Sequence, residues 1–303
     1  MREKGKSLED LYTSWLQTIA DNPDISLDEI RELFEHWGDV TSEPRAVDYI
    51  EVDAGGVEAM WAIPKRCSVD RVLLCMHGGG YVLSSMYSHR KLYGHLAKAI
   101  GCRALIVNYR RAPEHAYPGP IDDAVFVYQW LLEQQKLLPN HIAFLGDSAG
   151  GTLAISVILR AQEQRLPLPA AAVAMAPYID MEALGESYET NAGKDKLGSR
   201  SATLQFVNLV LGETGNRRAP LINPLFAELH GLPPLLIQVG GYDVLLDDSQ
   251  SLYTKARGAG VDVSLEITPA MQHVFQVLAG SVEEADAAIA SIAHWLRPKL
   301  GLN

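Results

Sequence analysis

The chain has 303 residues, of which 48% are hydrophobic, with 26 basic and 37 acidic side chains and a formal net charge of −11. That length suits one large α/β domain with an appendage, or two small domains, around a sizeable core. The acidic balance argues against nucleic acid and anionic membrane as partners, because both need a basic face.

The charged start, Met1–Ser7, is not followed by an apolar signal segment, and no stretch reaches the length of a membrane span. A soluble cytoplasmic protein is the expectation. Residues 7–20 carry Leu8, Leu11, Trp15 and Ile19 at steps of three and four, which predicts an amphipathic helix. Asp21-Asn22-Pro23 breaks it. Ser26 with Glu29 predicts a capping box, and Ile30, Leu33, Phe34 and Trp37 share one face of a second helix that Gly38 ends. These two helices suit either a separate domain or a flap over a site. Val47–Asp53 and Val57–Ile63, joined by Ala54-Gly55-Gly56, read as a hairpin, and Arg71–Met76 as a buried strand. Cys75, within that run, reads as a buried inert thiol. Cys67, Cys75 and Cys102 are too few for a disulfide framework and fit no zinc spacing, so no metal is expected.

Strands and helices then alternate. Helices are predicted over Tyr87–Ile100, Ile121–Gln135, Gly150–Gln164, Asp247–Gly258 and Val282–Leu296. Strands are predicted over Arg103–Val107, His141–Leu145, Ala170–Ala176, Leu235–Val239 and Val261–Ile267. Repeated units of this kind imply an α/β fold, a mostly parallel twisted sheet with helices on both faces and the hairpin as an antiparallel edge. One connection breaks the rhythm. Almost sixty residues separate Ala176 from Leu235, with a polar stretch at Glu186–Ser201 and an apolar helix at Ala202–Leu211. So long a connection is usually functional or flexible.

Catalytic groups in an open parallel sheet collect at the carboxyl ends of the strands. His77-Gly78-Gly79-Gly80 follows one predicted strand, and Gly146-Asp147-Ser148-Ala149-Gly150 joins another to a helix in the pattern G-x-S-x-G. Asp243 and His273 follow two later strands. The order Ser148, Asp243, His273 is the one this sheet requires of a serine triad. An imidazole can take the proton of a serine hydroxyl and return it to the leaving group, and a carboxylate on the other ring nitrogen fixes the tautomer. Glycines let the chain approach a substrate and aim N–H groups at one oxygen. His77 suits a loop-orienting role better than a catalytic one. Asp247 and Asp248 compete with Asp243 but suit caps of the next helix. His89, His95, His141 and His294 lie in helices or at a strand start, away from strand ends.

With Tyr109-Arg110-Arg111-Ala112-Pro113-Glu114-His115, Asp243–Asp248 and Met271–Phe275 added, the motifs resemble those of the hormone-sensitive-lipase-like (bacterial family IV) esterases of the α/β-hydrolase fold. The likeness runs from about residue 47 to the end. It implies Ser148 as nucleophile, His273 as base and Asp243 as its orienter, with Gly79, Gly80 and Ala149 as oxyanion-hole donors and no cofactor. It implies a helical cap made of residues 1–45 and an insertion at 180–215, over a core of 46–179 and 216–303, which favours the flap. Ile30, Phe34, Trp37, Tyr81, Phe206, Val207 and Val210 become candidate substrate contacts. Arg111 and Val274 depart from the pattern; glycine is common at the position of Val274.

The resemblance implies a serine carboxylesterase that takes a small-molecule ester with a short or medium acyl chain. An amidase, formamidase or lactonase would use the same groups, and a non-catalytic binding protein on this fold, as in the plant gibberellin receptors, would lack the histidine that stands here at His273. A homodimer is left open.

Overall fold

The computed structural model describes residues 8–302. Ser7 and the charged start, with the absence of a signal segment read from it, lie outside those residues. Two helices come first, α1 (Leu8–Asp21) and α2 (Leu27–Glu35). The capping box at Ser26 is present, its hydroxyl accepting from Glu29 N at 3.3 Å and Glu29 Oε2 accepting from Ser26 N at 2.8 Å. The second helix stops short of Trp37. A 3-10 turn at His36–Val40 takes over and includes Gly38, so the glycine lies inside the turn rather than at a helix end.

The hairpin β1 (Val47–Asp53) and β2 (Glu58–Pro64) leads into β3 (Ser68–Met76). Then follow α3 (Met86–Ile100), β4 (Cys102–Val107), α4 (Gly119–Glu133), β5 (Ile142–Asp147), α5 (Ala149–Glu163) and β6 (Ala171–Met175). The long connection holds α6 (Ser187–Thr190) and α7 (Arg200–Leu211), and the chain closes with β7 (Leu235–Gly240), α8 (Leu246–Gly258), β8 (Val263–Thr268) and α9 (Glu283–Leu296).

The eight strands form one sheet in the order β1-β2-β4-β3-β5-β6-β7-β8. β1–β2 and β2–β4 are antiparallel, and every other pair is parallel. The hairpin therefore forms the expected edge, and β1 alternates partly buried and exposed residues as an edge should. β5, β6 and β7 are buried at every residue, because helices cover both faces: α3 packs with α9, and α4 with α5. The chain leaves β3 toward β4 and returns past it to β5. That reversal opens a crevice at the carboxyl ends of β3 and β5, where an open α/β sheet binds ligands. The helices α1 and α2 form a cap over this end. Their core is an aromatic cluster, with Trp15 and Phe34 ring centroids 4.5 Å apart and Trp37 edge-on to Tyr12, Trp15 and Phe34.

Candidate active site

Ser148 stands between β5 and α5 with φ 52° and ψ −123°, a conformation that L-residues adopt only under constraint. The constraint is visible. Its N–H is held by Met175 O at 2.8 Å, and its carbonyl accepts from Gly151 and Tyr178 N–H groups. A Cβ on Gly146 would meet Gly150 O at 2.0 Å, and one on Gly150 would meet Met76 O at 2.0 Å, so neither flanking position admits a side chain. Ala149 opens α5, and an N–H in a first helical turn has no intrahelical acceptor.

The elbow is also fixed from behind. Asp147 is buried and accepts from Tyr93 Oη at 2.7 Å, with His89 Nε2 at 3.1 Å. Burial opposes its ionisation, but the His89 imidazole and these hydrogen bonds outweigh that and hold Asp147 below the usual carboxylate range. His89 is thus a support for the elbow. His77 stacks on Tyr109 with centroids 4.2 Å apart, and burial, with His89 adding to it, pushes its pKa down to about 3. It stays neutral at working pH, and its Nδ1 lies 2.8 Å from Gly78 O, a contact that suits a loop-orienting role. Gly79, with φ 104°, and Gly80, with φ 62°, follow it in the left-handed region and face the crevice.

His273 Nδ1 lies 2.8 Å from Asp243 Oδ2, and Asp243 Oδ1 accepts from Leu245 N at 2.8 Å. Burial favours a neutral imidazole at His273, but the Asp243 carboxylate beside it prevails and raises its pKa above the ordinary value. Val274 adopts φ 50° and ψ 42°. This loop needs a left-handed residue, and a β-branched one bears strain there. The backbone thus keeps the shape glycine would give while the side chain differs. Arg111, the other departure, donates to Ser84 O at 2.6 Å and faces Glu35.

Ser148, His273, Gly79 and Gly80 line one cavity of about 270 Å³. Its walls come from α1, α2, the 3-10 turn after it and α7, and include Leu16, Ile30, Phe34, Trp37, Phe206 and Leu209. Tyr81, Val207 and Val210 are not in its wall. They are buried in the hydrophobic core. In α7, Ala202, Thr203, Gln205, Phe206 and Leu209 line the cavity, while Val207 and Val210, next to that arc, turn into the core. A wider groove of about 470 Å³ over residues 18–33 carries neither histidine nor serine.

Two features had little signal in the sequence. Asp195, from the polar part of the long connection, lines the cavity and accepts from Val244 N at 2.9 Å. Asn191 Nδ2 donates to Asp243 O at 2.9 Å, and Ser187 Oγ to Val244 O at 2.5 Å, so this polar stretch grips the turn that carries Asp243. The second is Asp247 and Asp248, which do not cap α8. Asp247 accepts from Ser187 N at 2.8 Å, and Asp248 from Ile179 N and Asp180 N at 2.8 Å each. Asp243 itself supplies the acceptor for Leu245 at that helix start.

A family model described as the alpha/beta hydrolase fold matches residues 73–277. An acetyl-hydrolase of Streptomyces hygroscopicus is 36% identical over 298 residues, covering 92% of this chain and 98% of that one. The crystal structure of an esterase from the bacterial hormone-sensitive lipase family superposes with a TM-score of 0.91 at 41% identity, over 98% of this chain and all of that one. A crystal of EstE5 soaked with p-nitrophenyl butyrate gives a TM-score of 0.86 at 34% identity, over 96% and 99% of the two chains.

Proposed function

Because the chain belongs to the α/β-hydrolase family, among the esterases of its bacterial hormone-sensitive-lipase group, we propose that it hydrolyses carboxylic esters of short or medium acyl chain through an acyl-enzyme on Ser148. The observation that carries this reading is the His273–Asp243 hydrogen bond of 2.8 Å, placed in the same cavity as a serine held in a strained elbow.

Ser148 Oγ attacks the ester carbonyl while His273 Nε2 takes its proton. Asp243 holds the other ring nitrogen and stabilises the imidazolium. The oxygen that gains negative charge faces the N–H groups of Gly79, Gly80 and Ala149; losing one such donor in a comparable site costs about 3–4 kcal/mol of transition-state stabilisation. His273 returns the proton to the leaving alcohol, and water, activated by the same imidazole, releases the acid. The described part of residues 1–45, together with 180–215, acts as a two-part cap that sets which acyl group reaches Ser148. Short to medium chains are favoured by a cavity of about 270 Å³, just below the roughly 300–1,000 Å³ typical of small-molecule pockets. The acetyl-hydrolase and the butyrate-soaked EstE5 crystal among the relatives point the same way.

The test joins labelling to turnover. A fluorophosphonate probe should modify Ser148 in the native protein, and Ser148→Ala should lose p-nitrophenyl butyrate hydrolysis by about 10⁴-fold or more while remaining folded. A series from acetate to palmitate should peak at or below hexanoate. Absence of label on Ser148 in active protein would overturn the mechanism, and a peak at palmitate would overturn the chain-length reading.

A further inference from the structure

The base of the proposed triad is also held from the cap. Tyr12, on α1, is fully buried, and its hydroxyl donates to the backbone carbonyl of His273 at 2.9 Å. The same hydroxyl accepts from Trp37 Nε1 at 3.0 Å, and the Trp37 ring stands edge-on to His89 at 5.2 Å. His89 in turn holds Asp147, the neighbour of Ser148. A continuous run of buried contacts therefore joins the serine elbow to the histidine loop, and it passes through α1 and the 3-10 turn that follows α2. Gln272, one residue before His273, is gripped as well. Its amide donates to Lys194 O at 2.9 Å and Glu9 Oε1 at 3.1 Å, and its oxygen accepts from Lys196 N at 2.9 Å.

We propose that Tyr12 is a positioning residue for His273, so that α1 acts as part of the catalytic frame as well as a cover for the pocket. This rests on the reading of His273 as the base. The His273 loop needs an external hold, because it turns through left-handed Val274 and its carbonyl would otherwise lie buried without this donor. A hydroxyl pulling on that carbonyl fixes the peptide plane from which the imidazole projects. A misplacement of about 1 Å from far outside the chemistry can cost about 10²-fold in rate.

The experiment compares Tyr12→Phe with Tyr128→Phe in the full chain. Tyr128 likewise donates to a backbone carbonyl, that of Pro167 at 2.7 Å, and takes no part in the site. Both changes delete one hydroxyl and keep the ring. Tyr12→Phe should lower kcat on p-nitrophenyl butyrate by about tenfold to a hundredfold, with KM moved by less than about twofold. Tyr128→Phe should lose thermal stability and keep its kcat. The downfield proton NMR signal of the His273–Asp243 hydrogen bond should broaden in Tyr12→Phe and persist in Tyr128→Phe. That signal does not depend on which substrate the protein hydrolyses, so failure of the esterase reading would leave it informative. Equal kcat and an unchanged signal in the two folded variants would overturn the proposal. If Tyr12→Phe does not fold, Trp37→Phe, which removes the N–H given to Tyr12 together with part of a ring that lines the cavity, should broaden the same NMR signal; a signal unchanged there would equally overturn the proposal.

Discussion

At the scale of single residues, His273 sets how activity follows pH. Burial alone would depress its pKa, but the Asp243 carboxylate, 2.8 Å from Nδ1, raises it above the ordinary imidazole value. A base must be neutral to take the Ser148 proton. The acidic limb of kcat/KM should therefore fall above about 6.5, the ordinary histidine pKa, and activity should rise with pH through it. Asp243→Asn removes the charge that raises the limb and the acceptor that fixes the tautomer. It should cut kcat by about 10⁴-fold, as in comparable triads, and move the residual limb to lower pH. A pH series of kcat/KM on both proteins checks this, and a limb that stays in place in the variant would count against Asp243 as the orienter. The strand-end positions of Ser148, Asp243 and His273 were legible in the sequence because the strands before them are legible, two as apolar runs and β8 as an alternating one, and the sheet allows one chain order for a triad. Tyr12 was not legible. It shares the buried face of α1 with Leu8, Leu11 and Trp15, so periodicity marks it only as a packing residue, and its hydrogen-bond partner is 261 positions away.

At the scale of elements, local signals foretold the helices and long-range contacts decided where they dock. Periodicity announces α1 and α2, and the capping box starts α2 where the sequence said. What α2 rests on comes from Arg31. Its guanidinium donates to Val82 O at 3.1 Å and Ala112 O at 3.0 Å, and makes two bonds with Glu114, at 2.9 and 2.6 Å. One side chain thus pins the cap to the loops after β3 and β4. Hydrogen bonds from Arg31 push the Glu114 carboxyl down to about 2, but that carboxylate is exposed, and such pairs contribute little, about 0–1 kcal/mol. The carbonyl contacts carry the tether. Arg31→Ala should weaken docking of α2 by about 1–3 kcal/mol, seen as faster thermolysin cleavage within residues 21–40 and a higher KM. Arg31→Lys should not restore it, because an ammonium lacks the planar fork that serves three acceptors. Unchanged cleavage in Arg31→Ala would show that the aromatic cluster alone holds the cap. The rotation of α7 was illegible for a related reason. Its sequence is apolar on more than one side, so composition could not say whether Phe206 or Val207 faces the cavity.

At the scale of the whole molecule, one buried carboxylate makes stability depend on pH. Asp248 holds the chain as it leaves β6, accepting from Ile179 and Asp180 N–H groups, while its second oxygen is among the buried polar atoms without a partner. Burial pushes its pKa up to about 8; the two N–H groups oppose this, and the charges of Asp180 and Asp243 add to it. In the unfolded chain an aspartate titrates near about 3.9. Below that value both states hold the proton and there is no effect. Between there and about 8 the unfolded chain releases its proton while the folded chain keeps it. The unfolded state gains, and stability falls as pH rises. Above the folded pKa both states are ionised and the loss levels off. Asp248→Asn keeps an oxygen for the two N–H groups and has no proton to lose. Its melting temperature should gain on wild type as pH rises from 5 to 9, by about 2 °C or more for each kcal/mol recovered. Calorimetry of both proteins across that range reads the difference directly, with other titrating groups cancelling in the comparison. Parallel curves would mean that Asp248 is ionised in the folded protein and that the junction between β6 and the long connection tolerates a buried charge.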